Sequence, residues 1–257
     1  MNYKISKCYT TLNKSKIRYV LIKNNSQVTV VFFHGFMSDM MGKKPKAIQK
    51  FCRKNKYNFL GFEYSGHGKS SGKFTNGNIS KWTQEAKELI KSKVKNSNDL
   101  IFIGSSMGSW IALNLLNKFH KQIKGFIGIA SAPEFLEELM WKNFNKKIKK
   151  KIMTEKIYHL DHAGFVYPLT SQLILDGRKN KIFNKKNYHK FPIILFHGLN
   201  DKVVPISFSK KILKIFKNSK KKLIKIKNGD HSLSRKNDLK KICKELKNMI
   251  YFFPKIK

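Results

Sequence analysis

The sequence predicts an α/β fold: a mostly parallel, doubly wound sheet with one inserted helical lid. Three observations carry this expectation. Short β-branched or aromatic runs alternate with amphipathic helical patterns along most of the chain. A Gly-Ser-Ser-Met-Gly turn at residues 104–108 joins one such run directly to a helical pattern. The alternation fails once, between residues 133 and 187.

Residues 1–25 alternate apolar and polar side chains around an Asn13-Lys14-Ser15 turn, which predicts an entry hairpin. Strands are expected at residues 17–22, 28–33, 58–62, 100–103, 123–129, 193–196 and 223–226. Helical periodicity marks residues 46–55, 79–93, 106–119, 207–217 and 238–252. The interrupting segment carries Phe135, Leu136, Leu139, Met140, Trp141, Phe144, Ile148 and Ile152, then an apolar run over residues 157–175. Most of these side chains are expected to pack the lid onto the sheet, and a few to reach a substrate. Its basic run, residues 145–151, is expected on a solvated helix face. With no repeat, no Gly/Ser linker and no second alternating block, residues 1–257 read as a single domain with a lid at 133–187.

The chemistry is concentrated where predicted strands end. Leu100-Ile101-Phe102-Ile103 runs into Gly104-Ser105-Ser106-Met107-Gly108, and a helix follows. Strand, Gly-x-Ser-x-Gly turn and helix make a nucleophile elbow, which pushes the Ser106 hydroxyl out at the head of the sheet in an α/β-hydrolase. A serine hydroxyl needs a base to take its proton and an acid to orient that base. In this fold they follow in the order acid, then histidine. Pro192-Ile193-Ile194-Leu195-Phe196 leads into His197-Gly198-Leu199-Asn200-Asp201, and Leu223-Ile224-Lys225-Ile226 leads toward Asn228-Gly229-Asp230-His231. Asp201 is therefore the expected acid and His231 the expected base. Asp230, the rival acid, is adjacent to His231 and is expected to tighten its turn instead. The oxyanion donors are expected to be the backbone N–H of Met107, just after the nucleophile, and that of Phe36, in the loop after Val28-Thr29-Val30-Val31-Phe32-Phe33. His34 and His197 are expected to be structural. His159, Asp161 and His162 have the spacing of metal ligands but no supporting second cluster, so no metal and no cofactor are expected.

These motifs carry a resemblance. His34-Gly35-Phe36-Met37-Ser38-Asp39-Met40-Met41-Gly42-Lys43-Lys44-Pro45-Lys46-Ala47 resembles the α/β-hydrolase group that contains the mitochondrial palmitoyl-protein thioesterases (abhydrolase domain-containing type ten) and bacterial relatives. Phe51-Cys52, Phe62-Glu63-Tyr64-Ser65-Gly66-His67-Gly68-Lys69-Ser70-Ser71-Gly72, Trp82 and Gly104-Ser105-Ser106-Met107-Gly108-Ser109-Trp110 extend it. The resemblance implies a cytosolic or organellar serine hydrolase acting on acyl thioesters or esters, with a small-molecule or acylated-protein substrate. Two residues depart from the group's pattern: Glu63, where Asp is expected, and Ser109, where Gly is common. A general carboxylesterase or lipase for small or medium acyl esters is the alternative, and a non-catalytic binding protein on a hydrolase fold the third reading. Ser106 excludes the aspartate-nucleophile chemistry of dehalogenases and epoxide hydrolases. Thioester against oxygen ester, chain length and oligomeric state stay open at this point.

The formal charge is +39, from 54 basic and 15 acidic residues. Only four of the basic residues are arginines (Arg18, Arg53, Arg178 and Arg235). Nucleic-acid readers depend on the bidentate guanidinium, so no specific nucleic-acid partner is expected. The lysines spread over the whole chain beside abundant Asn, Ile and Phe, a compositional bias on solvated faces. Weak, salt-sensitive attraction to acyl-CoA or anionic membrane headgroups is the residual expectation. No apolar stretch reaches the length of a signal peptide core or a membrane span. Cys8, Cys52 and Cys243 lack redox or metal spacing, which points to a reducing, cytoplasmic compartment.

Overall fold

The structure, a computed structural model, describes residues 7–162 and 165–251, apart from the side chains of His162 and Phe165. Residues 1–6 of the expected entry hairpin and the last residue of the helix expected at 238–252 lie outside this range.

The central sheet is built from β1 (Lys7–Thr10), β2 (Lys16–Ile22), β3 (Val28–Phe33), β4 (Asn58–Phe62), β5 (Asp99–Ser105), β6 (Ile123–Ile129), β9 (Ile193–Gly198) and β10 (Lys221–Ile226). Their order is β1-β2-β4-β3-β5-β6-β9-β10. β1, β2 and β4 pair antiparallel, and every pairing from β4 to β10 is parallel. Parallel strands are covered on both faces, so they read as continuous apolar runs, and β3 and β5 are buried from Thr29 to Phe33 and from Leu100 to Ser105. Successive side chains divide between two cores. Val31, Phe33, Leu100 and Phe102 face one core with Trp82 and Trp110; Val30, Phe32, Ile101 and Ile103 face the other with Ile48 and Leu246. Helices α2 (Ile79–Lys93) and α3 (Met107–Leu115) cover the first face, α1 (Lys43–Lys54) and α7 (Lys236–Tyr251) the second.

The chain goes from β3 outward to β4 and then returns to β5 on the opposite side of β3. This reversal makes a topological switch point, and the crevice outside the strand ends there is where open α/β sheets hold ligands. The loops carrying Phe36 and Ser106 leave β3 and β5 at that point.

Between β6 and β9 the structure departs from the expected helical lid. A π-helical turn (Leu136–Met140) and a 3₁₀ turn (Trp141–Asn143) precede α4 (Lys146–Glu155), then come β7 (Ile157–His162), β8 (Phe165–Thr170) and α5 (Ser171–Lys179). The apolar run at 157–175 is thus in large part an antiparallel hairpin, with Tyr158 opposite Leu169 and Leu160 opposite Tyr167. Aromatic and β-branched residues favour a pleated surface, and Pro168 is tolerated in a two-stranded ribbon, where every strand is an edge. On α4 the lysines of the basic run line the outer side while Ile152 is buried. Glu134, left-handed at φ 60°, accepts from the Ile182 and Phe183 N–H groups at 2.7 Å each and pins the return of the segment beside its exit. Helix α6 (Ser207–Ile215) ends two residues before its expected limit, and the helix expected at 106–119 tightens into a 3₁₀ turn at Leu116–Phe119.

Candidate active site

Ser106 stands between β5 and α3 with φ 51° and ψ −120°, a conformation that costs a non-glycine residue on the order of 1–3 kcal/mol. Its surroundings leave no alternative. A Cβ on Gly108 would lie 2.2 Å from the Phe33 carbonyl oxygen, and one on Gly104 2.4 Å from the Ser109 Cα. Strand and helix therefore cross at glycine distance on either side of the serine. The Ser106 N–H donates to the Ile129 carbonyl at 2.9 Å, and its own carbonyl accepts from Ser109 at 3.0 Å and Ala132 at 3.3 Å.

The structure brings Ser106, His231 and Asp201 into one hydrogen-bonded chain. His231 Nε2 is 3.1 Å from Ser106 Oγ, and His231 Nδ1 is 2.9 Å from Asp201 Oδ2. The other Asp201 oxygen accepts from the Val203 and Val204 N–H groups, both at 2.9 Å. Burial pushes the Asp201 carboxyl up, but the His231 ring and these two amides outweigh it and hold the group below the usual carboxylate range. An ionised acid requires the Nδ1–H tautomer of His231, which leaves Nε2 free to accept from the serine hydroxyl.

Neighbouring titratable groups make their hydrogen bonds elsewhere, although His197 Nε2 also stands 3.7 Å from Asp201 Oδ2. Asp230 Oδ1 accepts from the Leu233 N–H at 2.8 Å, closing the turn after His231. His197 is buried between the Ser209 hydroxyl and the Val204 carbonyl, at 2.9 Å from each. Burial lowers its pKa, as it does for His34, which opens the loop after β3 and packs against Tyr64 and His67. Cys8, Cys52 and Cys243 are all unpaired thiols. Among the described residues no group of His, Cys, Asp or Glu is arranged to hold a metal ion.

The residues expected to supply the oxyanion donors flank the serine in sequence or in the cleft: Met107 follows Ser106 directly, and Phe36 lines the same cleft. Met107 opens α3, where first-turn N–H groups have no intrahelical acceptor. The loop after β3 crosses the elbow so closely that a Cβ on Gly35 would be 3.4 Å from Ser106 Cβ, and the next residue, Phe36, lines the cleft with Ser106. The Phe36 ring meets Phe74, Phe135 and Tyr167 at 5.0, 5.2 and 5.9 Å between centroids. Two of these partners come from the segment between β6 and β9, and sequence periodicity gave no means of selecting them. A cleft of about 440 Å³ opens on Ser106 and His231 and is walled by Phe36, Ser38 and Lys44. Lys44 is a third residue without a sequence signal of its own, one lysine among several in its motif.

A switch-point crevice with a strained serine elbow in an eight-stranded, mostly parallel sheet defines an α/β-hydrolase. The chain belongs to the hydrolase family described as Serine aminopeptidase, S33, which it matches over residues 24–166. It is 25% identical over 228 residues to the mitochondrial palmitoyl-protein thioesterase ABHD10 of Bos taurus, a match spanning 86% of this chain and 72% of the relative. The crystal structure of a candidate hydrolase from Agrobacterium vitis S4 superposes with a TM-score of 0.90 at 25% identity, over 96% of this chain and 98% of the other. Alpha/beta hydrolase domain-containing protein 10 from mouse shares the fold with a TM-score of 0.88 at 21% identity, over 97% and 100% of the two chains. Among the described residues no helix is long and apolar enough to cross a membrane.

Proposed function

We propose that this chain is a serine hydrolase that cleaves acyl thioesters or esters through an acyl-enzyme on Ser106. The unbroken Asp201–His231–Ser106 hydrogen-bond chain at the strained elbow is the observation that carries the reading. Ser106 Oγ attacks the acyl carbonyl while His231 Nε2 takes its proton, and Asp201 holds the resulting imidazolium. The Met107 and Phe36 N–H groups receive the oxyanion, each contributing about 3 kcal/mol. His231 then returns the proton to the departing thiolate or alkoxide. A water deprotonated by the same nitrogen attacks the acyl group, and collapse of that second adduct frees the acid and restores the serine.

The thioester arm is supported by the bovine relative's name. The cluster of Phe36, Phe74, Phe135 and Tyr167, joined to the cleft through Phe36, is the apolar slot this reading assigns to the acyl chain. On this reading residues 133–187 are the lid of one hydrolase domain spanning the chain, and a general carboxylesterase is the variant in which the slot takes shorter acyl groups. An aminopeptidase needs carboxylates for its substrate's ammonium group, whereas this cleft sets Lys43 and Lys44 against Asp39 alone. Three unpaired cysteines favour a reducing compartment, either the cytoplasm or an organelle matrix such as the relative's name indicates.

The test is hydrolysis of acyl-CoA thioesters and matched oxygen esters, from acetyl to palmitoyl, by the wild type and Ser106→Ala. Long-chain thioester turnover abolished in the variant is the expected result. Turnover confined to short oxygen esters would select the carboxylesterase, and turnover unaffected by Ser106→Ala would reject the mechanism.

A further inference from the structure

Lys44, on the first turn of α1, reaches across the cleft to the loop that carries His231. Its Nζ donates to the Ser232 carbonyl at 2.5 Å and is 3.5 Å from the Ser234 hydroxyl. An ammonium has three N–H donors, so this arrangement leaves one unspent, and Lys44 forms no ion pair among the described residues. The group is half-buried in the wall of the cleft that holds Ser106 and His231. Burial pulls its pKa down to about 8 against the opposing attraction of Asp230. The N-terminus of α1 opens on the same cleft through Gly42 and Lys43, with no acidic residue in its first turn to neutralise its positive end. The Ser38, Ser232 and Ser234 residues line the space between.

A desolvated cation with no carboxylate in ion-pair contact among the described residues, beside a helix N-terminus and in the same cleft as the reacting serine, is an arrangement that a bound anion stabilises. We infer that Lys44 and the first turn of α1 form a subsite for a carboxylate or phosphate carried by the substrate close to the acyl bond that is cleaved. The inference rests on the reading that Ser106 attacks that bond. It differs from the general pull of the lysine-rich surface, because hydrated surface charges are screened by salt while a half-buried one is screened much less.

The experiment compares the octanoyl ester of 4-hydroxybenzoate with that of uncharged 4-hydroxybenzamide. The wild type should show a KM about tenfold lower for the carboxylate ester, the scale of one charge-assisted hydrogen bond. Lys44→Met should bring the KM ratio of the two esters to about one, and Lys44→Arg should retain the preference. The preference should also shrink as pH rises past 8, where Lys44 loses its proton. The ionisable groups around it are Asp39 and Lys43 on its own side of the cleft and Asp230, His231 and Arg235 on the facing loop. A preference that survives Lys44→Met, whether or not kcat falls equally on both esters, would overturn the subsite and make Lys44 a clamp on the His231 loop alone. Calorimetric binding of the carboxylate ester to Ser106→Ala, with and without Lys44→Met, separates this inference from the mechanism. About tenfold weaker binding in the double variant supports the subsite whatever residue performs the attack, and unchanged binding overturns it.

Discussion

The strand-end loops and the segment between β6 and β9 are held by different forces. In the loops, position is set by backbone: a left-handed serine, glycines at contact distance from opposing carbonyls, and amides that grip Asp201. In the segment between β6 and β9, position is set by side-chain packing, with Phe135 and Tyr167 against Phe36 and Arg178 stacked over Trp141 at 4.8 Å. Backbone geometry is intolerant of change, whereas apolar packing adapts to many side chains. A hydrolase built this way can vary its substrate without disturbing its chemistry, and perturbing each region should give a different signature.

The largest effect belongs to the loops. Asp201→Asn keeps the fold and shape of the site but favours the wrong His231 tautomer, so kcat should fall by about 10⁴-fold at an unchanged melting temperature. Gly108→Ala comes next. Its Cβ would meet a backbone oxygen at 2.2 Å, with no flexible group to give way, and denaturant unfolding should register a loss of about 3 kcal/mol or more along with activity. His67, buried and packed against the rings of His34 and Trp82, supplies a pH signature. Burial lowers its pKa from 6.5 to about 4, so between those values the unfolded chain binds a proton that the folded chain refuses. Its contribution is complete above pH 6.5 and is lost as pH falls toward 4, about 3 kcal/mol in all, and His67→Phe should flatten that part of the stability curve. The smallest effect belongs to the inserted segment. Tyr167→Ala should raise KM for palmitoyl substrates by about tenfold, one ring's worth of burial, and leave acetyl ester turnover unchanged. Equal losses on both substrates would erase the contrast between the two regions.

The same contrast explains what could be read from the chain. The Ser106, Asp201 and His231 assignments could be drawn from the chain because each residue follows a strand pattern, in a turn that needs glycine close by. The π turn and the hairpin were not, since a run such as Ile157-Tyr158-His159-Leu160 fits several local structures and takes its form from the neighbour it packs on. The two departures from the family pattern prove compatible with the site. Glu63 bends back to accept from the Lys69 N–H at 2.7 Å and fills the space beside Gly68, and Ser109 donates to the Gly104 carbonyl at 2.7 Å beneath the elbow. Lys44 was invisible for a different reason. In a chain with 54 basic residues no single lysine stands out until its surroundings are known.

Mass spectrometry of the protein quenched during turnover of palmitoyl-CoA tests the central claim most directly. The account predicts a palmitoyl adduct on the peptide containing residues 104–108, accumulating in His231→Ala after a single slow acylation and absent in Ser106→Ala. An adduct that persists in Ser106→Ala, or rapid turnover of the thioester with no adduct on Ser106 in any form of the protein, would contradict it.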